Sequence, residues 1–322
     1  MDAAALRAEF PVFAEIAYLN SGTCGPVPRA SVRAVAQALE DAAALGRSLA
    51  YFEATARLAG QQREAYAALL DARPQDVALT TSTSEGIVRV LAGLDLRPGD
   101  EVVTAEGEHP GLLGPLAAAR ERFGIAVLAV PLARVHEAVG PRTRLVACSH
   151  VGWVSGERAP AELAALDVPV LLDGAQGIGA VPCRVRDLGC AFYAGPGQKW
   201  LCGPVGTGLL WVHPEWAERV APIGPTYLNL ADPASGLGAQ PHPDARRHDA
   251  SALGLEQLAA AAAAFVVLAD AGWAEVQRRA ATLAADLASR LGERGFRVAP
   301  RGDTTLVAWE VEEPVTVKRR LA

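Results

Sequence analysis

From residue 77 onward the chain alternates short apolar runs with stretches of helical periodicity, and this alternation limits the fold more than any other feature. The apolar runs are Val77–Thr80, Glu101–Thr104, Ala126–Val130, Leu145–Ser149, Val168–Leu172, Ala191–Ala194 and Gly208–Val212. Helical patterns fill the earlier gaps at 84–94, 111–123 and 158–166. Strand and helix in turn build a mainly parallel sheet covered on both faces. The run VPVLLD is almost continuously apolar, as a strand buried on both sides must be. The gaps before the last two runs leave little room for full helices, so a mixed sheet is expected there.

The flanks read differently. AYLNSGTCGPVP (17–28) has the Asn, Gly and Pro of a loop, and residues 29–45 and 54–71 read as helices. Residues 214–250 are rich in Pro, Gly and His and look irregular. Helices are expected at 253–271 and 273–294, then strands at 296–299 and 305–311, and VKRRLA reads as the start of a helix. The last unit thus reads as an unfinished α+β piece. The expected fold is α/β: a three-layer α/β/α large domain with a mainly parallel, mixed sheet of about seven strands, plus a small, truncated C-terminal subdomain. The expected boundaries are 1–250, with residues 1–20 packing toward the small domain, and 251–322. A chain of 322 residues has room for both.

In an open parallel sheet, ligands bind at the carboxyl ends of the strands. The residues just after each run are therefore informative. Thr80-Thr81-Ser82-Thr83-Ser84-Glu85-Gly86 comes after the first and opens a helix, and Glu108-His109-Pro110 comes after the second. Ser149-His150-Val151-Gly152-Trp153 comes after the fourth, Asp173-Gly174-Ala175-Gln176 after the fifth, and Gly197-Gln198-Lys199-Trp200 after the sixth. The hydroxyl run at a helix start is either a phosphate cup or an ordinary N-cap. Asp173 ends a buried strand and needs a partner, which a protonated pyridine nitrogen, a helix start or a metal would supply. A metal is disfavoured, because no second acid lies near Asp173 in the sequence. His109 is placed to stack on a ring or to serve as a loop hydrogen-bonder, His150 reads as structural, and Trp153 as core or pocket wall.

Composition sharpens one residue. Of 30 basic side chains only Lys199 and Lys318 are lysines. Arginine-favouring codons account for that scarcity, yet arginine cannot supply a neutral amine. Lys199 lies in GPGQKWLCGPVGTG, almost free of charge, where a lowered pKa and Schiff-base chemistry are expected over a snorkelling surface lysine. A net charge of −6 argues against nucleic acid. Five cysteines without CxxC or metal-ligand spacing read as reduced residues of a cytosolic protein. The acidic start MDAAALRAEF is no signal peptide, and the alanine-rich run Leu258–Ala269 is too short to span a membrane. There is no GxGxxG after the first sheet strand and no GxxxxGK[ST] loop, which weighs against a nucleotide-binding α/β protein.

LLDGAQGIGAVP (171–182) and FYAGPGQKWLCGPVGTG (192–208), with TSTSEG and EHPG in support, resemble class V of the aminotransferase superfamily, fold type I. Its members use pyridoxal 5′-phosphate (PLP) and include cysteine desulfurases, isopenicillin-N-epimerase-like proteins and C–S lyases. The resemblance implies Lys199 as the internal-aldimine lysine, Asp173 as partner of the pyridine nitrogen and His109 as the stacking residue. It implies Gln176 at the ring hydroxyl, and Thr83, Ser84 and Gln198 at the phosphate. Arg247–Ser251 resembles the stretch that reaches a neighbouring subunit's phosphate, which implies Ser251 as a contact and a homodimer with shared sites. The implied substrate is an amino acid, the compartment cytoplasmic, and the reaction transamination or C–S lyase chemistry; a PLP-binding remnant without turnover is the alternative. Pro196-Gly197-Gln198 stands where desulfurases show Ser-Gly-His, and no cysteine follows Cys202. Both departures, with Trp153, lean toward the epimerase-like and C–S lyase branch. The family's arginine for the substrate carboxylate falls in a region beyond this chain's last residue.

Overall fold

A computed structural model describes residues 1–321. Two short helices, α1 (Ala3–Ala8) and α2 (Val12–Glu15), lead into the long helices α3 (Arg29–Leu45) and α4 (Leu49–Leu70). The alternating part follows as β1 (Val77–Thr80), α5 (Thr83–Gly93), β2 (Glu101–Ala105), α6 (Pro110–Phe123), β3 (Ala126–Val130), β4 (Thr143–Ser149), β5 (Val170–Asp173), α7 (Val185–Leu188), β6 (Phe192–Pro196) and β7 (Gly208–Val212). Helices α8 (Leu255–Ala271), α9 (Trp273–Glu293) and α10 (Pro314–Leu321) complete the chain.

The seven strands form one sheet in the order β1-β7-β6-β5-β4-β2-β3. All neighbours are parallel except β7, which runs against both β1 and β6. That is the mixed end expected from the short gaps: only 197–207 joins β6 to β7, too little for a crossover helix.

Alternate residues of each strand face opposite layers. Val77, Leu79, Val146, Leu172, Tyr193 and Leu209 point to the face covered by Tyr66 and Leu70 of α4. Ala78, Leu145, Leu171, Phe192 and Leu210 point to the other, covered by α5 and α6 through Ile87, Val90, Leu112 and Leu116. Each large side chain among these, fully buried, contributes about 1.5–3 kcal/mol.

The alanine-rich run lies in α8, which packs on α3 and α4 and buries Leu258, Ala261, Ala264 and Leu268. Phe10 joins that cluster, Ser31 Oγ donates to the Ala260 carbonyl at 2.7 Å, and the chain's amino group reaches the Asp270 carbonyl at 2.6 Å. No single helix among the described residues is long and apolar enough to cross a membrane.

Two expectations are corrected. The helix at 158–166 is a 3-10 stretch, Ala161–Ala165, in which only Leu163 is buried, so packing offers too little to lengthen it. The strands at 296–299 and 305–311 reduce to a single antiparallel bridge, Val298 with Trp309. Pro300 and Gly302 interrupt the run, and no third strand among the described residues extends the ladder.

Candidate active site

The carboxyl ends of β4, β5 and β6 form the floor of the site. Ser149, Asp173 and Ala194 stand in register across these strands, all buried. Asp173 Oδ1 accepts the Ala175 N–H at 2.8 Å; Oδ2 takes no hydrogen bond from the described residues. Burial raises the Asp173 pKa, and the charges of Lys199 and His109 pull it partly back. An acid so placed is complementary to a cationic N–H donor arriving in the slot.

Lys199 reaches the same rim from the β6–β7 connection. That connection is stapled by Gly197 N–H to Thr207 O, Gly203 N–H to Gly197 O and Cys202 N–H to Lys199 O. Cys202 adopts φ +55, an uncommon left-handed conformation for a residue with a side chain. The loop at 20–25 lies directly on this turn: Gly25 N–H donates to Gln198 O at 2.7 Å. A Cβ on Gly25 would stand 2.1 Å from Lys199 O, so only glycine allows that approach. Burial lowers the Lys199 pKa, opposed by Asp173 and by the neighbouring Cys24. The net effect favours the neutral, nucleophilic amine.

His109 is the N-cap of α6, with Nδ1 accepting the Gly111 N–H at 2.9 Å. Trp153 stands edge-on to it, ring centroids 5.0 Å apart, and its indole N–H donates to Gly107 O. At 41% exposure Trp153 is a wall of the rim and no part of the core. Ser82 caps α5 by accepting the Glu85 N–H. Ordinary capping and an anion cup coexist here, because the N–H groups of Thr83 and Ser84 in the first turn have no helical acceptor. The Thr83 hydroxyl is buried without a partner, as is the carboxamide oxygen of Gln198. A Cβ on Gly111 would lie 2.7 Å from Ser84 Oγ and 3.0 Å from His109 Nδ1, which measures how closely the starts of α5 and α6 converge.

Gln176 is buried with both ends of its amide engaged: Nε2 donates to Gly22 O and Oε1 accepts the Trp200 indole N–H, each at 2.8 Å. It ties the loop at 20–25 to the lysine segment. His150 lies beneath the rim, where Nδ1 is 3.0 Å from the Tyr193 hydroxyl, and burial lowers its pKa to about 3. In the 247–251 stretch, Arg247 donates to Ala217 O, His248 is buried, and Asp249 pairs with Arg63 at 2.7 Å. Ser251 is exposed and far along the chain from the other groups.

Sequence reasoning gave no role to Glu108 or Ser149. Glu108 is buried, accepts both the N–H (2.7 Å) and the hydroxyl of Ser149, and has its pKa pushed up by burial to about 7. An acid directly before His109 at a strand's carboxyl end was the available signal. The C-terminal wall was also missed: Thr304 Oγ1 donates to Gly156 O at 2.9 Å, and Leu306 approaches Gly22. No group of His, Cys, Asp and Glu among the described residues is arranged to hold a metal ion.

The family profile described as Aminotransferase class-V matches residues 17–306. A probable cysteine desulfurase of Methanothermobacter thermautotrophicus is 31% identical over 249 residues, 70% of this chain and 61% of that protein. Isopenicillin N epimerase of Streptomyces clavuligerus is 30% identical, covering 74% of this chain and 63% of that one. The chain thus spans about three fifths of the length of these curated relatives. Among solved structures, a lysine-to-alanine mutant of C-DES with glycine covalently linked to the PLP cofactor matches with a TM-score of 0.90 at 26% identity. That match covers 98% of this chain and 89% of the other. The cystine C–S lyase C-DES in complex with its product, cysteine persulfide, matches with a TM-score of 0.89.

Proposed function

The chain belongs to the class-V aminotransferase family, and from that premise we propose that it is a PLP-dependent enzyme acting on an amino acid, with C–S bond cleavage as the preferred outcome. The observation that carries this reading is the arrival at one sheet edge of Asp173, at the end of β5, and Lys199, on the β6–β7 connection, close enough for each to act on the other's charge. The residues around the slot fit the cofactor. Thr83 supplies an unpaired buried hydroxyl at a helix start, and Asp173 keeps one oxygen without a partner.

When bound, the cofactor supplies a cationic ring that takes up electrons released at the substrate's Cα. The chain's own groups do the rest. Lys199 would hold the cofactor covalently, and its amine, once released, carries a proton to and from the substrate. Asp173 would favour the protonated form of the ring nitrogen, and His109 would stack against the ring. Thr83, Ser84 and the first-turn N–H groups of α5 would hold the phosphate, with Gln198 beside them. Gln176 has a second amide hydrogen for the ring hydroxyl while it keeps its bond to Gly22. Trp153 places a polarisable aromatic wall beside the substrate, which suits a sulfur-bearing side chain. That feature and the likeness to a cystine C–S lyase favour lyase chemistry over transamination.

A homodimer with shared sites is part of the reading. Leu45, Leu49 and Phe52 on the α3–α4 hairpin are each more than 60% exposed, an apolar surface that a second copy would cover, and Ser251 is free to reach across. Five free thiols suit a cytoplasmic, reducing setting.

The test is direct. Protein purified with PLP should be yellow, and borohydride should fix the cofactor on Lys199. Supplied with L-cystine, it should release pyruvate and sulfane sulfur. A folded protein that stays colourless after incubation with PLP overturns the reading. One that is yellow yet inert toward all amino acids is the non-catalytic alternative.

A further inference from the structure

Strands β2 and β4 are parallel neighbours, and the loop that follows β2 carries Glu108 and His109. Past Ala105 the chain leaves the strand, and side chains fix the His109 loop to the neighbouring strand ends. Two side chains do so: Trp153, whose indole N–H donates to Gly107 O, and Glu108. Glu108, next to His109, places both carboxyl oxygens on Ser149, one on its backbone N–H at 2.7 Å and one on its hydroxyl. Ser149 is in turn the register partner of Asp173 on β5. A chain of direct contacts thus runs from the His109 loop through the Glu108 carboxyl to the strand end beside Asp173.

A neutral side chain could satisfy Ser149 alone. Keeping an acid there is costly, because it is buried and stands near a second acid. The groups facing it are Asp173 from β5, Cys148 and Ser149 from β4, and the His109 amide from its own loop; Lys199 faces Asp173 from the β6–β7 connection. The arrangement gives the slot a second negative charge once a cation sits against Asp173.

We propose that Glu108 is a positioning residue for the cofactor ring: it clasps Ser149 so that His109 and Asp173 keep a fixed spacing across the slot, and it adds a second acid behind the ring-nitrogen partner. This rests on the PLP reading above. It assigns to Glu108 a role that acts through His109 and Asp173 and not through contact with the reacting atoms.

Wild type, Glu108→Gln, Glu108→Ala and Ser149→Ala are compared for PLP affinity, for the pH titration of the bound cofactor's visible band, and for melting temperature. Glu108→Ala is expected to weaken PLP binding by about 10- to 100-fold, the equivalent of losing one to two charge-assisted hydrogen bonds. Glu108→Gln keeps an acceptor for the Ser149 N–H and turns its amide to the hydroxyl, so affinity should change by no more than about threefold. Its loss of charge should still move the band's titration midpoint to lower pH by roughly half a unit or more, because a nearby cation loses an acid. Ser149→Ala should fall between wild type and Glu108→Ala in affinity. It carries the affinity test if Glu108→Ala fails to fold. Wild-type affinity in a folded Glu108→Ala, or an unmoved midpoint in Glu108→Gln, overturns the proposal. Failure of the wild type to take up PLP at all overturns the site reading and this inference together, and so separates the two failures.

Discussion

The floor of the site and its C-terminal wall are built by different means. The floor is three adjacent strand ends, each buried and held in register by backbone pairing on both sides of β5. Beneath it, Gly174 and Gly177 let the Tyr193 ring and hydroxyl press against the turn that carries Asp173 and Gln176. The wall at 296–310 has one β-bridge, two bonds to Gly156 O and an arginine, Arg301, spent on carbonyls of its own turn. Floor geometry follows from the ladder and from shape, so few substitutions are compatible with it. Wall geometry follows from a handful of replaceable bonds. Reactivity should therefore be a property of the floor, and substrate preference a property of the wall.

Lys199 offers the harshest test of this contrast. Lys199→Ala should lower turnover by about 1,000-fold or more while leaving the melting temperature equal or higher, since a half-buried ammonium is removed. Lys199→Arg should not rescue it. Steady-state kinetics and thermal unfolding check both. Next in size is Gly174→Ala, whose new Cβ would stand 2.2 Å from a Tyr193 ring carbon. Overpacking of this kind should cost about 3 kcal/mol, read by denaturant unfolding.

The third test concerns pH. Glu108 has a folded pKa raised to about 7, above its unfolded value. Its contribution to stability is full below the unfolded pKa and is lost as pH rises toward 7, by about 3 kcal/mol in total. Glu108→Gln without cofactor should lack this decline, so its melting temperature should gain on the wild type from pH 5 to pH 8. Smallest is the wall. Thr304→Val deletes the bond to Gly156 and should cost about 1 kcal/mol. It should raise KM with kcat nearly unchanged; an equal loss in kcat would erase the distinction between floor and wall.

The floor was legible from the chain because buried strands announce themselves by composition, and ligand groups follow their carboxyl ends. Lys199, Asp173 and His109 were singled out that way, and the structure places all three at these strand ends or on the loops that follow them. Gln176 follows β5 as its place in the sequence indicates, but its bonds to Gly22 and Trp200 were not legible, because an amide can bond to any polar group brought near it. Glu108 was overlooked for a related reason: its meaning lies in its bonds to Ser149 on a neighbouring strand, which no spacing encodes. The expected strands near 298 and 309 failed because a pattern of alternation specifies a face, and supplies no neighbour to pair with.

The N-terminal contacts also set a timetable. The amino group meets a carbonyl 269 positions away, Ser31 one 229 positions away, and the loop at 20–25 closes on the lysine turn. On the ribosome these residues emerge well before the segments that receive them. Phe10 and the Gly25 loop must wait through most of synthesis before α8 and the lysine turn exist to receive them. The sheet's parallel core can gather in the meantime, but the turn around Lys199 is covered late, by a loop made long before it. Late steps of such long reach are slow, so the maturation of the site, more than the formation of the sheet, should govern how quickly new molecules become competent to bind.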